Sequence, residues 1–343
     1  MAAEIGNLFR DYALAKAPGN WKTFAMIAST CKHTSRKKHG KTKEGTQRFR
    51  CKDCGATFTQ STEMFDDMRL GLDRAEKIIG MLCEGMSVNA TARLTDTDAH
   101  TILDLLVLVG ERCKSFMEIN IRGVLVDDCQ CDEVWQFIYC KDKTRERRGY
   151  GPETGDSYLF TCIERNTKLL VCWHLGKRSP EATELFAHKM QRAIGSPTFH
   201  LSTDGFTPYR KFLPSALAGR INYGTIVKIF GKTTVDDQRK YSPATISGIK
   251  KETVWGEPNQ AQICTSHVER HNLTLRTFVR RMGRLTCCFS KKWENHEAMI
   301  GLAIFHYNYV RRHGTLKTTP AVANGLTDHA WTVRELLEKT SNT

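Results

Sequence analysis

Between Asp73 and Val109 the apolar positions recur with helical spacing. Ala75, Ile78, Ile79 and Leu82 fall on one face. Gly85 breaks this helix, and Ser87 is placed to cap a second one carrying Val88, Ala92 and Leu94. After the turn at residues 95–97, Thr97 or Asp98 caps a third helix that buries Ile102, Leu103 and Leu106. Helix, glycine turn, short helix, turn, helix is the order of a helix-turn-helix, predicted over residues 70–115. Its third helix would present Asp98, His100 and Thr101 outward. The alternative use of the same pattern is a helical hairpin for packing or dimerisation.

From residue 121 the period changes. "VLVDDCQCDEVWQFIYC", Val124 to Cys140, consists mostly of β-formers and reads as a strand. "YLFTCIERNTKLLVCWHLG" reads as two strands joined near Asn166. "SPEATELFAHKMQRAIG" is a helix capped by Ser179 with Pro180 at its first position. A short strand, "TFHLSTDG", leads into a helix ending near Leu217. Residues 218–262 are dense in Gly, Pro and Lys and are expected to form an irregular insertion. Two helices, "SHVERHNLTLRTFVRRMG" and "SKKWENHEAMIGLAIFHYNYVRRH", close the unit at about residue 315, and residues 316–343 are expected to be a tail. Upstream, residues 1–30 are expected to form a short helical lead-in ended by Pro18 and Gly19. There is no internal repeat.

Charge sharpens this picture. With 343 residues and a formal charge of +14, the chain is expected to meet a polyanion, most simply nucleic acid. An anionic membrane is the competitor, but the most apolar helical run, "TILDLLVLVGERC", carries Asp104 and is too short to span. The start of the chain, with Glu4, Arg10 and Asp11, lacks the layout of a signal peptide. Thirteen scattered cysteines, with Cys162 and Cys172 inside strand-like runs, point to a reducing cytoplasmic compartment. In residues 31–60, nine Lys or Arg lie between Lys32 and Lys52 against one acid, Glu44, and Arg48, Arg50 and Lys52 are candidate DNA contacts. Cys51-x-x-Cys54 followed by Gly55 has the shape of a zinc knuckle. Cys31 would supply a third ligand, and His33 or His39 the fourth. The bland alternative is a basic loop with unliganded thiols.

The acids carry the chemistry. A carboxylate in an apolar strand is costly unless paired or metal-bound. Asp132 lies on such a strand, Asp204 ends another, and Glu269 begins a helix. Two Mg²⁺ (or Mn²⁺) held by carboxylates at adjacent strand ends and on a facing helix would serve phosphoryl transfer. Each acid also has an ordinary reading. Asp132 could be an edge charge, Asp204-Gly205 a turn pair, and Glu269 the partner of Ser266 in a capping box. Asp127 and Asp128 are assigned no metal. Cys129 and Cys131, flanking the acidic run, read as core thiols rather than ligands. Arg276 follows Glu269 by two helical turns, and between Arg270 and Lys292 there are seven cations and no acid. Arg276, Arg280, Arg281, Lys291 and Lys292 are therefore expected to hold DNA backbone.

"CDEVWQF", "STDGFTPY" and the long run from "TSHVERHN" to "HGTLKTTPA" resemble the transposases of the insertion-sequence-one family. "RFRCKDCGATF" and "GMSVNATARLTDTDAHTILDLL" resemble that family's zinc ribbon and helix-turn-helix, though "CKHT" stands where the ribbon often begins with a second cysteine pair. The resemblance, over about residues 30–335, implies an α/β, ribonuclease H-like catalytic domain at 121–315, a mixed sheet flanked by helices. It also implies an Asp-Asp-Glu triad, carried by Asp132, Asp204 and Glu269. The implied activity is recognition of terminal inverted repeats in double-stranded DNA, then metal-dependent cleavage and strand transfer into target DNA by a homodimer or larger assembly. The rivals are a catalytically silent regulator derived from such an enzyme and a structure-selective nuclease of the same fold.

Overall fold

A computed structural model describes residues 35–41, 47–59, 65, 68, 70–217, 219–230, 246–284 and 286–341. The lead-in at 1–30, Cys31 and His33 lie outside the described residues. The chain forms two compact units, residues 1–62 and 63–343.

In the first unit, β1 (Arg36–Lys41), β2 (Gln47–Cys51) and β3 (Thr57–Thr59) make an antiparallel sheet in that order. The Cys51–Cys54 pair sits on the β2–β3 turn. Cys51 N–H bonds to the Ala56 carbonyl at 2.8 Å, and Gly55 N–H to the Cys51 carbonyl at 3.2 Å. Gly55 has φ +76°, a conformation side chains disfavour, which is why this turn takes a glycine. Arg50 and Lys52 are exposed and Arg48 is half-buried. Every residue of β1, His39 included, is exposed.

The second unit begins with α1 (Leu72–Cys83), α2 (Val88–Thr95) and α3 (Ala99–Asn120). The capping follows from the sequence. Gly85 turns at φ +81°, Ser87 Oγ accepts from Ala90 N–H at 3.2 Å, and Asp98 Oδ1 accepts from His100 N–H at 2.8 Å. Packing departs from expectation at Leu94, which is 64% exposed because the two-turn α2 buries only Thr91 completely. No helix among the described residues is long and apolar enough to cross a membrane.

α3 is 22 residues long and runs beyond the predicted module to lie on α8 (Trp293–Phe305). At the crossing, a Cβ on Gly110 would stand 2.3 Å from the Ala298 carbonyl oxygen. Backbone cannot yield as a side chain can. Gly110→Ala is therefore expected to destabilise by about 1–3 kcal/mol through overpacking, outweighing the ~1 kcal/mol that alanine gains in helix propensity. Urea unfolding would check the sign; an unchanged or raised midpoint refutes the close crossing.

The main sheet comprises β4 (Asp128–Ile138), β5 (Gly155–Glu164), β6 (Leu170–Gly176), β7 (Phe199–Thr203), β8 (Ile221–Phe230) and β9 (Ile246–Trp255). Its order is β6-β5-β4-β7-β8-β9. β4, β5 and β6 form an antiparallel meander, β7 and β8 run parallel to β4, and β9 returns antiparallel. Two hydrogen-bonded strands thus stand where an irregular insertion was expected at 218–262. "INYGTIVKIF" alternates, with Ile221, Tyr223 and Thr225 buried, but that period is diluted by the neighbouring Gly, Pro and Lys.

The short α4 (Asp142–Arg148) follows β4. α5 (Pro180–Ala193) and α6 (Thr207–Leu217) cover one face of the sheet, where Phe160 meets Phe186 and Tyr209. α7 (Ser266–Phe278) lies on the other face and ends in a 3-10 turn at Arg280–Met282. α8 continues into a π-helical turn, His306–Val310. The expected tail is instead core. α9 (Pro320–Ala323) and α10 (Val333–Thr340) follow, with Leu336 and Leu337 buried, and Trp331 packs on Phe116, Phe305 and Tyr309. Arg334 pairs with Glu76 at 2.8 Å, tying α10 to α1.

Candidate active site

β4 and β7 are adjacent and parallel, paired from Asp128↔His200 to Cys131↔Thr203. The residue after each end of this ladder is an acid: Asp132 on β4 and Asp204 beyond β7. One oxygen each from Asp132, Glu133 and Asp204 lies within 4.8 Å of the others. They are far apart in sequence except for the adjacent pair, so only the parallel register brings them together.

α7 is fixed over this point by a strand residue. Gln130 Oε1 accepts the N–H groups of His267 (2.9 Å) and Val268 (3.2 Å), satisfying helix-end donors that have no intrahelical partner. Two residues further along β4, Asp132 Oδ2 accepts from Asn272 Nδ2 at 2.7 Å, and Oδ1 from Glu133 N–H at 2.8 Å. Gln130 and Asn272 were not singled out from the sequence; both are uncharged, and their roles exist only across the β4–α7 contact.

Glu269 shares an open cavity of about 510 Å³ with Asp132 and Asp204. Its carboxylate is not in the close cluster. Oε1 accepts from Thr265 Oγ1 at 2.8 Å and pairs with Lys228 Nζ at 2.5 Å. The capping-box alternative falls away: Thr265 is the N-cap, Ser266 is already helical, and no side-chain cap bond is present. The turn reading of Asp204 is half right, since Oδ1 accepts from Phe206 N–H at 3.0 Å.

Glu133 is the acid that sequence reasoning left without a role. Its adjacency to Asp132 was the available signal. Arg178, lining the same cavity, pairs with Glu133 Oε2 at 3.1 Å. Oε1 is buried, and Tyr209 Oη faces it without meeting hydrogen-bond geometry. Burial first, then the Asp204 charge, pushes both Asp132 and Glu133 up to about 7.

A buried acid cluster with an orphaned oxygen and mutual repulsion has the donor set of a hard divalent cation. Asp132, Glu133 and Asp204 could hold one, with Glu269 within the same cavity.

Part of the basic stripe after Glu269 is engaged by the fold, while Arg280, Lys291 and Lys292 stay exposed. Arg276 donates to the carbonyls of Met282 (2.7 Å) and Trp135 (2.9 Å), and burial pushes its guanidinium down to about 10. Arg280 donates to the Gly85 carbonyl at 3.1 Å, and Arg281 to Ser290 Oγ (3.3 Å) and the Asn295 carbonyl (3.2 Å). These side chains bind backbone carbonyls of β4, the α1–α2 turn and α8, and so tie the end of α7 to three neighbouring elements. Lys291, Lys292 and His100 are exposed, and Thr101 is half-buried. Asp128 is buried against Arg165 (3.0 Å) and His200 (3.2 Å), away from the cluster. Cys129 and Cys131 are buried, with Cys131 Sγ 3.8 Å from Met190 Sδ.

A mixed six-stranded sheet, flanked by helices and carrying acids at the ends of adjacent parallel strands, is compatible with a ribonuclease H-like domain. Residues 249–310, spanning α7, all of α8 and the π-helical turn after it, match the IS1 transposase family. A 43-residue stretch is 51% identical to the insertion element iso-IS1n protein InsB of Shigella dysenteriae, covering 12% of this chain and 33% of that one. The chain thus spans about a third of the length of the curated relative it matches. The resemblance to insertion-sequence-one transposases holds, and the matched segment contains Glu269 but neither Asp132 nor Asp204.

Proposed function

We propose that this protein is a DNA transposase that binds the terminal inverted repeats of an insertion sequence and carries out metal-dependent cleavage and strand transfer. The observation that carries the reading is the convergence of Asp132, Glu133 and Asp204 within 4.8 Å, with Asp132 and Asp204 lining a cavity together with Glu269. When bound there, a pair of divalent cations, Mg²⁺ or Mn²⁺, would supply the charge that activates a water or 3′-OH and stabilises the leaving oxygen.

The chain's own groups do the rest. Asp132 and Asp204 would share one cation, and Glu269, released from Lys228, would complete a second position. Asn272 holds the Asp132 carboxylate in one orientation, and Gln130 fixes the height of α7 above the strand ends. Arg178 and Lys228 flank the acids and are placed to neutralise a phosphate entering the cavity. The three-stranded unit, with Cys51 and Cys54 on its turn, would bind one Zn²⁺ with Cys31 and a histidine. With α1–α3 it would contribute repeat recognition. Pairing two element ends implies at least a homodimer.

The test is incubation with labelled element ends, a target plasmid and Mg²⁺. Joined products support the reading. Nicking without joining would leave a nuclease, and repeat binding without either would leave a silent regulator.

The acid cluster gives a pH-dependent signature. Asp132 and Glu133 have unfolded values near 4 and folded values of about 7. The folded chain therefore binds more protons between these limits, and the metal-free protein loses stability as pH rises through that window. A divalent cation relieves the repulsion that appears once both acids ionise, and competes with protons below that. Mg²⁺ or Mn²⁺ should raise the Tm clearly near pH 8 and little near pH 5.5. Equal shifts at both values would exclude cation binding at this cluster.

A further inference from the structure

Behind α7, on the side away from Glu269, lies a second cavity of about 410 Å³ with a different character. Lys168, Arg270, Arg311 and Arg312 line it together with His267, His271 and His313, and no carboxylate does so among the described residues. Three features mark it as built. His271 is 3% exposed, and neither of its ring nitrogens has a hydrogen-bond partner, an expense a core rarely tolerates. Lys168 stands at φ +59°, a strained conformation for its residue type, in the β5–β6 turn, with Nζ 3.1 Å from His267 Nδ1. Arg311 is held over the Phe278 ring at 3.5 Å to the centroid, and it has no acid partner among the described residues. The nearest acids lie outside the lining and act on Lys168 only from a distance: Asp128 pairs with Arg165 and His200, and Glu164 accepts from the Thr167 N–H and hydroxyl through one oxygen.

Four cations crowded around a cavity whose described lining holds no carboxylate repel one another, and a buried imidazole without a partner loses its hydration; an anion with several acceptor oxygens relieves both. We propose that this cavity binds a phosphodiester of the DNA backbone, gripping DNA on the face of α7 opposite the carboxylates. Arg270 and Arg312, both exposed, would pair with phosphate oxygens at the mouth, and Lys168 and His271 would meet them inside. α7 then separates the reacting strand from a second DNA contact by about one helix diameter, ~10 Å. The choice of DNA as the source of the phosphate rests on the transposase reading.

The experiment measures affinity of the full chain for a labelled duplex over a salt series without divalent cations. Each phosphate contact contributes about 0.9 to the slope of log K against log salt. Arg270→Ser/Arg312→Ser should therefore lower that slope by about 2 and weaken binding about tenfold or more at low salt. Arg270→Lys/Arg312→Lys should restore most of it. Arg192→Ser/Lys211→Ser, the same charge loss on α5 and α6, should leave the slope near wild type. An unchanged slope in the Arg270/Arg312 variant, with wild type still binding and joining DNA, overturns this site alone. Absence of any DNA affinity in wild type overturns the functional reading and the site with it. Loss of inorganic phosphate binding by the variant with no change in the DNA slope would make the cavity a site for free anions and refute the proposal.

Discussion

Asp132→Asn and Asp204→Asn should each reduce end cleavage and strand transfer by at least about a thousandfold, as loss of a single catalytic group commonly does. Each substitution keeps shape and removes one cation-binding charge, and both residues sit where β4 and β7 end their ladder. DNA binding should persist. Stability in the absence of metal should rise at neutral pH, because one partner in the repulsion is gone. An inactive protein that is also less stable would mean only misfolding. Glu269→Gln is the more discriminating change. Since Glu269 makes no capping box, its replacement should cost no more than the half-exposed pair with Lys228 contributes, about 1 kcal/mol. Any loss of joining would then be chemical. A Glu269→Gln protein that joins ends at near-normal rate would show that Lys228 holds this acid for structure alone.

Removal of residues 1–62 and of 1–115 should give opposite results. The first boundary falls between the two compact units. The second removes α1, α2 and most of α3, which buries Ile102, Leu105, Leu106, Val109 and Cys113. Losing one such contact costs about 2–5 kcal/mol, against a total stability of about 5–15 kcal/mol. The shorter deletion should yield a folded, metal-responsive protein that has lost preference for the terminal repeats. The longer should be insoluble, with α8 stripped of its partner. A folded protein after deletion of 1–115 would show that α1–α3 form a separate module, as the helix-turn-helix pattern by itself suggested.

The sequence alone determined what depends on neighbours along the chain. Ser87, Asp98 and Ser179 cap their helices because capping is a bond across two or three residues. Gly55 and Gly85 turn where glycine is needed. The strands around Asp132 and Asp204 and the helix of Glu269 were legible from local period, and the identity of the acids from the cost of burying charge. The resemblance to known transposases was legible in the α7–α8 segment. Tertiary structure decided the rest. Whether 73–113 stands apart or joins the core depended on Gly110 meeting Ala298, far away in the chain. Arg276 and Arg280 read as a phosphate stripe because helical spacing records which side a residue faces, not what lies opposite; carbonyls of Trp135 and Gly85 lie opposite. Glu133 joined the site, and Glu269 stood beside it on Lys228, through the packing of β7, β8 and α7 on β4. Charge and period are properties of a segment, whereas a site is a set of distances between segments, and only the assembled sheet with α7 upon it sets those.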